Sequence, residues 1–189
     1  MTDFSNREPT QGVDALFIER WSPRAFTKTE IPVATLTRII DAARWSPSCF
    51  NDQPWRFYTS NADNFDDFLG LLVEGNQTWA ANAGVLGFIT ARKHFAHNGE
   101  PNDFAPLDAG AAWLAMTLQA RKLGLYTHGM GGIHSDAAAE YLTINTEQEQ
   151  VLMGFAIGTA ADTAQLSDEQ RKQETPNGRR PLDEIWVKR

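Results

Sequence analysis

The sequence predicts one domain that mixes helices with strands. Apolar residues recur three and four apart at Leu36, Ile39, Ile40 and Ala43, and again over residues 106–123, as they do on a helix face. Aromatic, β-branched or apolar runs over residues 55–59, 85–90 and 151–157 read as strands. A length of 189 residues suits a single domain with a real core.

Composition narrows the classes of function. A net charge of −7 argues against a nucleic-acid or anionic-membrane binder. There is no run of roughly 18 apolar residues, so no membrane span is expected. The opening stretch, residues 1–8, lacks the apolar centre of a signal peptide, and the cytoplasm is the expected location. The lone cysteine, Cys49, excludes an internal disulfide framework and a cysteine-based zinc site. With 6 Trp and 11 Phe, the chain has aromatic surface to spare for a lined pocket or a large interface.

Taken in order, residues 13–20 read as a short helix ended by Pro23. The extended exit over residues 20–26 puts Arg20, Ser22 and Arg24 on one side. Two guanidiniums around a hydroxyl can grip a phosphate; the alternative is a solvated basic turn. Ile31 and Pro32 open the helix through Ala43, and Pro47 should stop it, because the residue before a proline avoids the α region.

The loop that follows carries Ser46, Ser48, Asn51 and Gln53 ahead of the strand at Trp55. In extended chain Asn51, Gln53 and Trp55 would point one way and Asp52 and Pro54 the other. Two carboxamides on one side suit a flat heterocycle with alternating C=O and N–H groups. The alternative is a turn whose polar residues satisfy their own backbone.

Residues 61–64 look like a cap for a helix running from Phe65 to Gly75. His94 and His97 lie three apart but in a loop with no third ligand, so solvated histidines are expected. The helix over 106–123 opens on Ala109, Gly110, Ala111 and Ala112 and closes at Gly124. Apolar or small almost all round, it should be buried on several sides, including against a partner subunit. Residues 124–132 are glycine-rich without the G-x-G-x-x-G spacing, so they are no dinucleotide fingerprint, yet their backbone can approach a ligand closely. Ser135 should cap a helix through Tyr141. Residues 163–177 read as a polar surface connection, and Leu182, Ile185 and Trp186 form a tail that wants burial.

Four segments together resemble the FMN-dependent nitroreductase family, in the family's order and across essentially the whole chain. They are residues 20–26 (Arg-Trp-Ser-Pro-Arg-Ala-Phe), residues 46–57 (Ser-Pro-Ser-Cys-Phe-Asn-Asp-Gln-Pro-Trp-Arg-Phe), Asp108 through Leu125, and the closing Arg179-Arg180-Pro181-Leu182. The resemblance implies an α+β fold: a mixed, largely antiparallel sheet flanked by helices, in an intertwined homodimer. Residues 1–189 would form one flavin-binding domain, with 163–189 as a C-terminal extension packing on the partner subunit. By position, Arg20, Trp21, Ser22 and Arg24 match the motif near the FMN phosphate and ribityl chain. Arg180, beside Arg179, matches a C-terminal phosphate contact. Pro47, Ser48, Asn51 and Gln53 match the loop that reaches the flavin from the other subunit. Gly131 and Gly132 match the segment near the flavin's reactive edge. Gly131 stands where some branches carry an acidic residue, and Gly178 and Arg179 stand where many members have a lysine.

The implied activity is ping-pong reduction of nitroaromatics, quinones or activated enones, with NADH or NADPH as donor. No side chain need act as general acid or base, so no catalytic residue is assigned. His128 is either a proton donor or a structural histidine. The rivals are a flavin store or sensor without nicotinamide turnover, and a flavoenzyme of dehalogenation or flavin breakdown.

Overall fold

The computed structural model describes residues 2–188. Its centre is a five-stranded sheet of β1 (Phe26–Thr27), β2 (Trp55–Thr59), β3 (Val85–Arg92), β4 (Tyr126–Met130) and β5 (Glu149–Ala160). β3 lies between β2 and β5, and β5 also pairs with β1 and β4. All ladders among the described residues are antiparallel. The chain therefore adopts an α+β fold with an antiparallel sheet flanked by helices.

The helices are α1 (Ala15–Glu19), α2 (Val33–Arg44), α3 (Phe65–Gly70), α4 (Glu74–Ala80), α5 (Ala105–Lys122), α6 (Ser135–Tyr141), α7 (Asp168–Lys172) and α8 (Leu182–Ile185). Successive side chains of a strand point to opposite faces, and β3 uses both. Val85, Ile89 and Ala91 pack with Ile39 and Ala43 of α2 and Ala109, Ala112 and Met116 of α5. Leu86 and Phe88 pack with Phe65 and Phe68 of α3, Trp79 of α4 and Ala138 of α6. The small residues of α5 let it lie close against α2. That stripe, expected to serve a partner as well, turns inward. The side of α5 left open carries Leu107, Gly110 and Leu114.

Several local expectations are corrected. The helix from Phe65 to Gly75 is two helices, because Leu71 and Leu72 drop into the core and Val73 N donates to Gly132 O instead. Asn64 Oδ1 accepts from Asn61 N in a local turn and does not cap α3. Ser135 is the first residue of α6, after a His134 N-cap without a side-chain bond. The glycine-rich stretch is largely β4, since pairing with β5 overrides its weak strand preference. Gly124, at φ +81°, closes α5 as expected.

Residues 163–177 pack on this same chain: Leu166, Glu174 and Pro176 are buried, and Asn6 Nδ2 donates to Pro176 O. From Leu182 to Val187 the apolar side chains are exposed, Ile185 at 70%.

Candidate functional site

The segment leading into β1 carries Arg20, Trp21, Ser22 and Arg24 to the wall of one cavity of about 600 Å³, and Arg179 arrives there from the C-terminal connection. Arg7, Lys172 and His128 add charge or a ring, Gln173, Thr175 and Asn177 add neutral polar groups, and among the described residues no Asp or Glu lines it. Burial, and after it the neighbouring Arg179 guanidinium, hold Arg20 below its usual pKa. Arg7 is lowered by burial and by repulsion from Arg179 and Arg20. Clustered, partly buried guanidiniums facing no carboxylate form a strong anion receptor.

Three groups from outside fix this strap. Arg7 donates from Nη1 to Ile18 O (2.5 Å) and Arg20 O (3.0 Å), and from Nε to Asn177 O (2.9 Å). Glu174 Oε1 accepts from Arg24 N (2.7 Å) and Ala25 N (2.8 Å). His128 Nδ1 meets Pro23 O at 2.9 Å, so that nitrogen carries the proton and Nε2 is the bare one in the neutral ring. The ring lies 4.5 Å from that of Trp79. Burial, with a contribution from Arg24, pushes His128 down to about 4. It is neutral near pH 7, which favours the structural role over proton donation.

Residues 46–53 are not extended. Cys49–Asn51 forms a 3-10 turn, and Phe50, Asn51 and Gln53 sit at φ 53°, 55° and 48°. The expected shared side for Asn51, Gln53 and Trp55 is therefore absent: Trp55 enters the core while the two carboxamide residues are exposed. Left-handed backbone costs roughly 1–2 kcal/mol per ordinary residue, so something must hold it. Asp108 Oδ2 accepts from Cys49 N (3.0 Å), and Ser48 Oγ accepts from Gln53 N (3.0 Å). Arg92 Nη2 donates to Asp52 O (2.6 Å) and Oδ2 (3.0 Å), while Ala96 N donates to Asp52 Oδ1 (2.8 Å). Gln53 Nε2 folds back on Asn51 O (2.9 Å).

Gly131 and Gly132 follow β4. Gly131 is exposed with open space around its Cα, whereas a side chain at Gly132 would strike Asn76 Nδ2 at 2.7 Å and Val73 Cγ2 at 2.8 Å.

The fold thus brings Arg20, Trp21, Ser22, Arg24 and Arg179 around one cavity, which Pro47, Ser48, Asn51, Gln53, Gly131, Gly132 and Arg180 do not line. Sequence reasoning missed Arg7, Glu174, Asp52 and Asp108. Of these only Asp108 carried a signal, as an acid inside an otherwise small and apolar helical stretch.

A model of the nitroreductase family matches residues 18–67 and 59–159. Over 150 residues the chain is 32% identical to a Streptomyces coelicolor protein provisionally named NADH dehydrogenase/NAD(P)H nitroreductase, covering 67% of this chain and 72% of that one. A solved oxidoreductase containing FMN is 43% identical, with a TM-score of 0.93 over 99% of this chain and 96% of its own. A provisionally named nitroreductase from Exiguobacterium sibiricum, solved in complex with FMN, shares the fold at 19% identity, with a TM-score of 0.79 over 97% of this chain and 100% of its own. The match to the family model runs from the strap at Arg20 through β5, and this chain belongs to the nitroreductase family.

Proposed function

We propose that the protein is an FMN-dependent oxidoreductase that uses NADH or NADPH to reduce nitroaromatics, quinones or activated enones. The observation that carries this reading is the cavity of Arg7, Arg20, Arg24 and Arg179 with Ser22 and, among the described residues, no lining carboxylate. That donor set fits a phosphate monoester: planar guanidiniums for bidentate bonds, a hydroxyl, and mutual repulsion that an anion relieves. The buried Trp21 Nε1, a donor with no protein acceptor among the described residues, adds a further group available to a polar ligand. The Streptomyces coelicolor relative's name includes NAD(P)H, which supports the choice of donor.

When bound, FMN supplies a carrier that accepts a hydride from a reduced nicotinamide and yields it to a second substrate. The chain's own residues bind and orient. Arg20, Ser22, Arg24 and Arg179 hold the phosphate end, with Arg7, Glu174 and His128 fixing their strap. His128, neutral near pH 7 with Nδ1 engaged by Pro23 O, holds the strap and does not supply a proton.

The functional unit is a homodimer with shared sites. The loop bearing Pro47, Ser48, Asn51 and Gln53 lies apart from its own chain's cavity, and two copies allow each loop to reach the other's cofactor. Leu107, Leu114, Ile185, Trp186 and Val187 are exposed apolar surface that such an interface would cover. Residues 163–177 stay with their own subunit, and the segment from Leu182 onward packs on the partner. Among the described residues no helix is long and apolar enough to cross a membrane; we assign the protein to the cytoplasm.

The test is the visible spectrum of the purified protein, before and after anaerobic addition of NADH or NADPH. A yellow chromophore that bleaches is the expected result. Yellow without bleaching points to storage, and a colourless protein that takes up no added FMN sinks the proposal.

A further inference from the structure

Phe50 is an expensive residue in its place. It is 78% exposed, yet its backbone sits at φ 53°, where a bulky side chain is an outlier and Gly or Asn would serve a plain turn better. Two more rings meet it. Phe95 stands edge-on at 5.7 Å and His97 lies at 5.3 Å, with Phe95 and His97 5.4 Å apart. His97, exposed as the sequence suggested, is thus one ring of a triad.

Asp52 locks the base of this triad. Its carboxylate, 2% exposed, receives Arg92 and the amide of Ala96, which ties the loop below Phe50 to the turn bearing Phe95 and His97. The charge of Asp52 is engaged beneath the rings, which leaves the outer aromatic surface without it. Strain held by several independent bonds at an exposed residue is an outlier from which a hypothesis of function can be drawn.

We propose that Phe50, backed by Phe95 and His97, is the wall on which the electron acceptor lies, and that it selects planar aromatic acceptors over aliphatic ones. The inference rests on the proposed function, because it needs the 46–53 loop to border a cofactor. Phe50 lies between Ser48 and Asn51, the residues assigned to that border, and its exposed ring is free to meet an acceptor there. Fixed rings favour offset and edge-on contact with another aromatic system. An aliphatic enone gains only buried area from the same surface.

The test uses the flavin-loaded enzyme with NADH or NADPH and two acceptors, 2-methyl-1,4-naphthoquinone and 2-cyclohexenone. Phe50→Ala and Phe95→Ala are each expected to lower the quinone-to-enone ratio of kcat/KM by about three- to tenfold. The change should lie mainly in KM for the quinone, and Phe50→Tyr should restore the ratio. An unchanged ratio in Phe50→Ala overturns the assignment. So does loss of flavin or of the dimer in Phe95→Ala, which would make the rings a cofactor or subunit contact. A wild-type enzyme that keeps its flavin but reduces neither acceptor, nor a nitroaromatic such as 4-nitrobenzoate, brings down the proposed function, and the wall with it. A flat ratio in an enzyme that reduces both brings down the wall alone.

Discussion

In the cavity beside residues 20–25, Arg7, Arg20 and Arg179 crowd like charges, and burial and repulsion lower the pKa of both Arg7 and Arg20. In the 46–53 loop the charges are already matched: Asp52 meets Arg92, and Asp108 caps Cys49 N. There the unfavourable energy is stored in backbone angles, at Phe50, Asn51 and Gln53. The first region is electrostatically incomplete and geometrically relaxed, and the second is the reverse. A site awaiting an anion can leave cations unmatched, because the ligand supplies the countercharge. A site that must present its shape to a neutral ring system has to be finished before the ligand arrives. Deletions should therefore act oppositely in the two regions on the cofactor-free protein.

The largest effect is expected at Asp52→Ala. Removing one partner of a buried pair costs up to about 3–5 kcal/mol, and the partial exposure of Arg92 brings that to about 3 kcal/mol. The urea midpoint of the cofactor-free variant should fall accordingly; an unchanged midpoint would mean the loop is not anchored through this carboxylate.

Next comes a pH effect on the other region. His128 is depressed from 6.5 to about 4, so between those values the unfolded chain binds more protons than the folded one. Stability supplied by the neutral ring is complete above pH 6.5 and is lost as the pH falls through about 4. The loss approaches roughly 3 kcal/mol, at 1.36 kcal/mol per unit. Denaturation curves of wild type and His128→Gln, both without cofactor, should differ in pH dependence inside the window and run parallel above and below it. A bound anion should narrow the window by favouring the imidazolium, and the same curves with FMN present would show it.

Arg20→Met should weaken FMN binding by about 1.5–3 kcal/mol, the range for a hydrogen bond to a charged group. The cofactor-free protein should lose no stability, because the repulsion with Arg7 and Arg179 goes with the side chain. Fluorescence titration and urea denaturation on one sample read both halves. A destabilised apoprotein that binds FMN normally would show Arg20 to be a structural cation.

How far the sequence revealed these regions follows from their physics. The arginine strap was legible because alternation along extended chain is a rule of backbone geometry, and Arg20, Ser22 and Arg24 do line one cavity. α5 was legible from its period and from Gly124. The loop's shape could not be read, since nothing in Phe50 or Gln53 announces a left-handed backbone; long-range bonds from Arg92 and Asp108 impose it. Arg7 and Glu174 were hidden for a related reason. Their partners are backbone carbonyls and amides of the strap, and backbone groups leave no mark in a sequence.

The smallest effect sharpens the comparison most. Thr143 also sits at positive φ, 57°, just past α6. It is a β-branched residue where helices prefer glycine, with Ile144 N bonding back to Ala139 O. Thr143→Gly should relieve left-handed strain of roughly 1–2 kcal/mol while freeing the unfolded chain by about 0.4–1 kcal/mol, a small net gain. Gln53→Gly relieves the same kind of strain and keeps the amide that donates to Ser48 Oγ, losing only the side-chain bond to Asn51 O. The two variants should therefore change thermal stability alike, each within about 1 kcal/mol. They should part in the spectrum of the bound flavin, which Gln53→Gly shifts and Thr143→Gly leaves alone. Strain at the end of α6 closes a helix, whereas under the proposed function strain in the loop would present a carboxamide to the cofactor. If both spectra match wild type, the loop's strain is as structural as that at Thr143, and residues 46–53 form a turn that satisfies only itself.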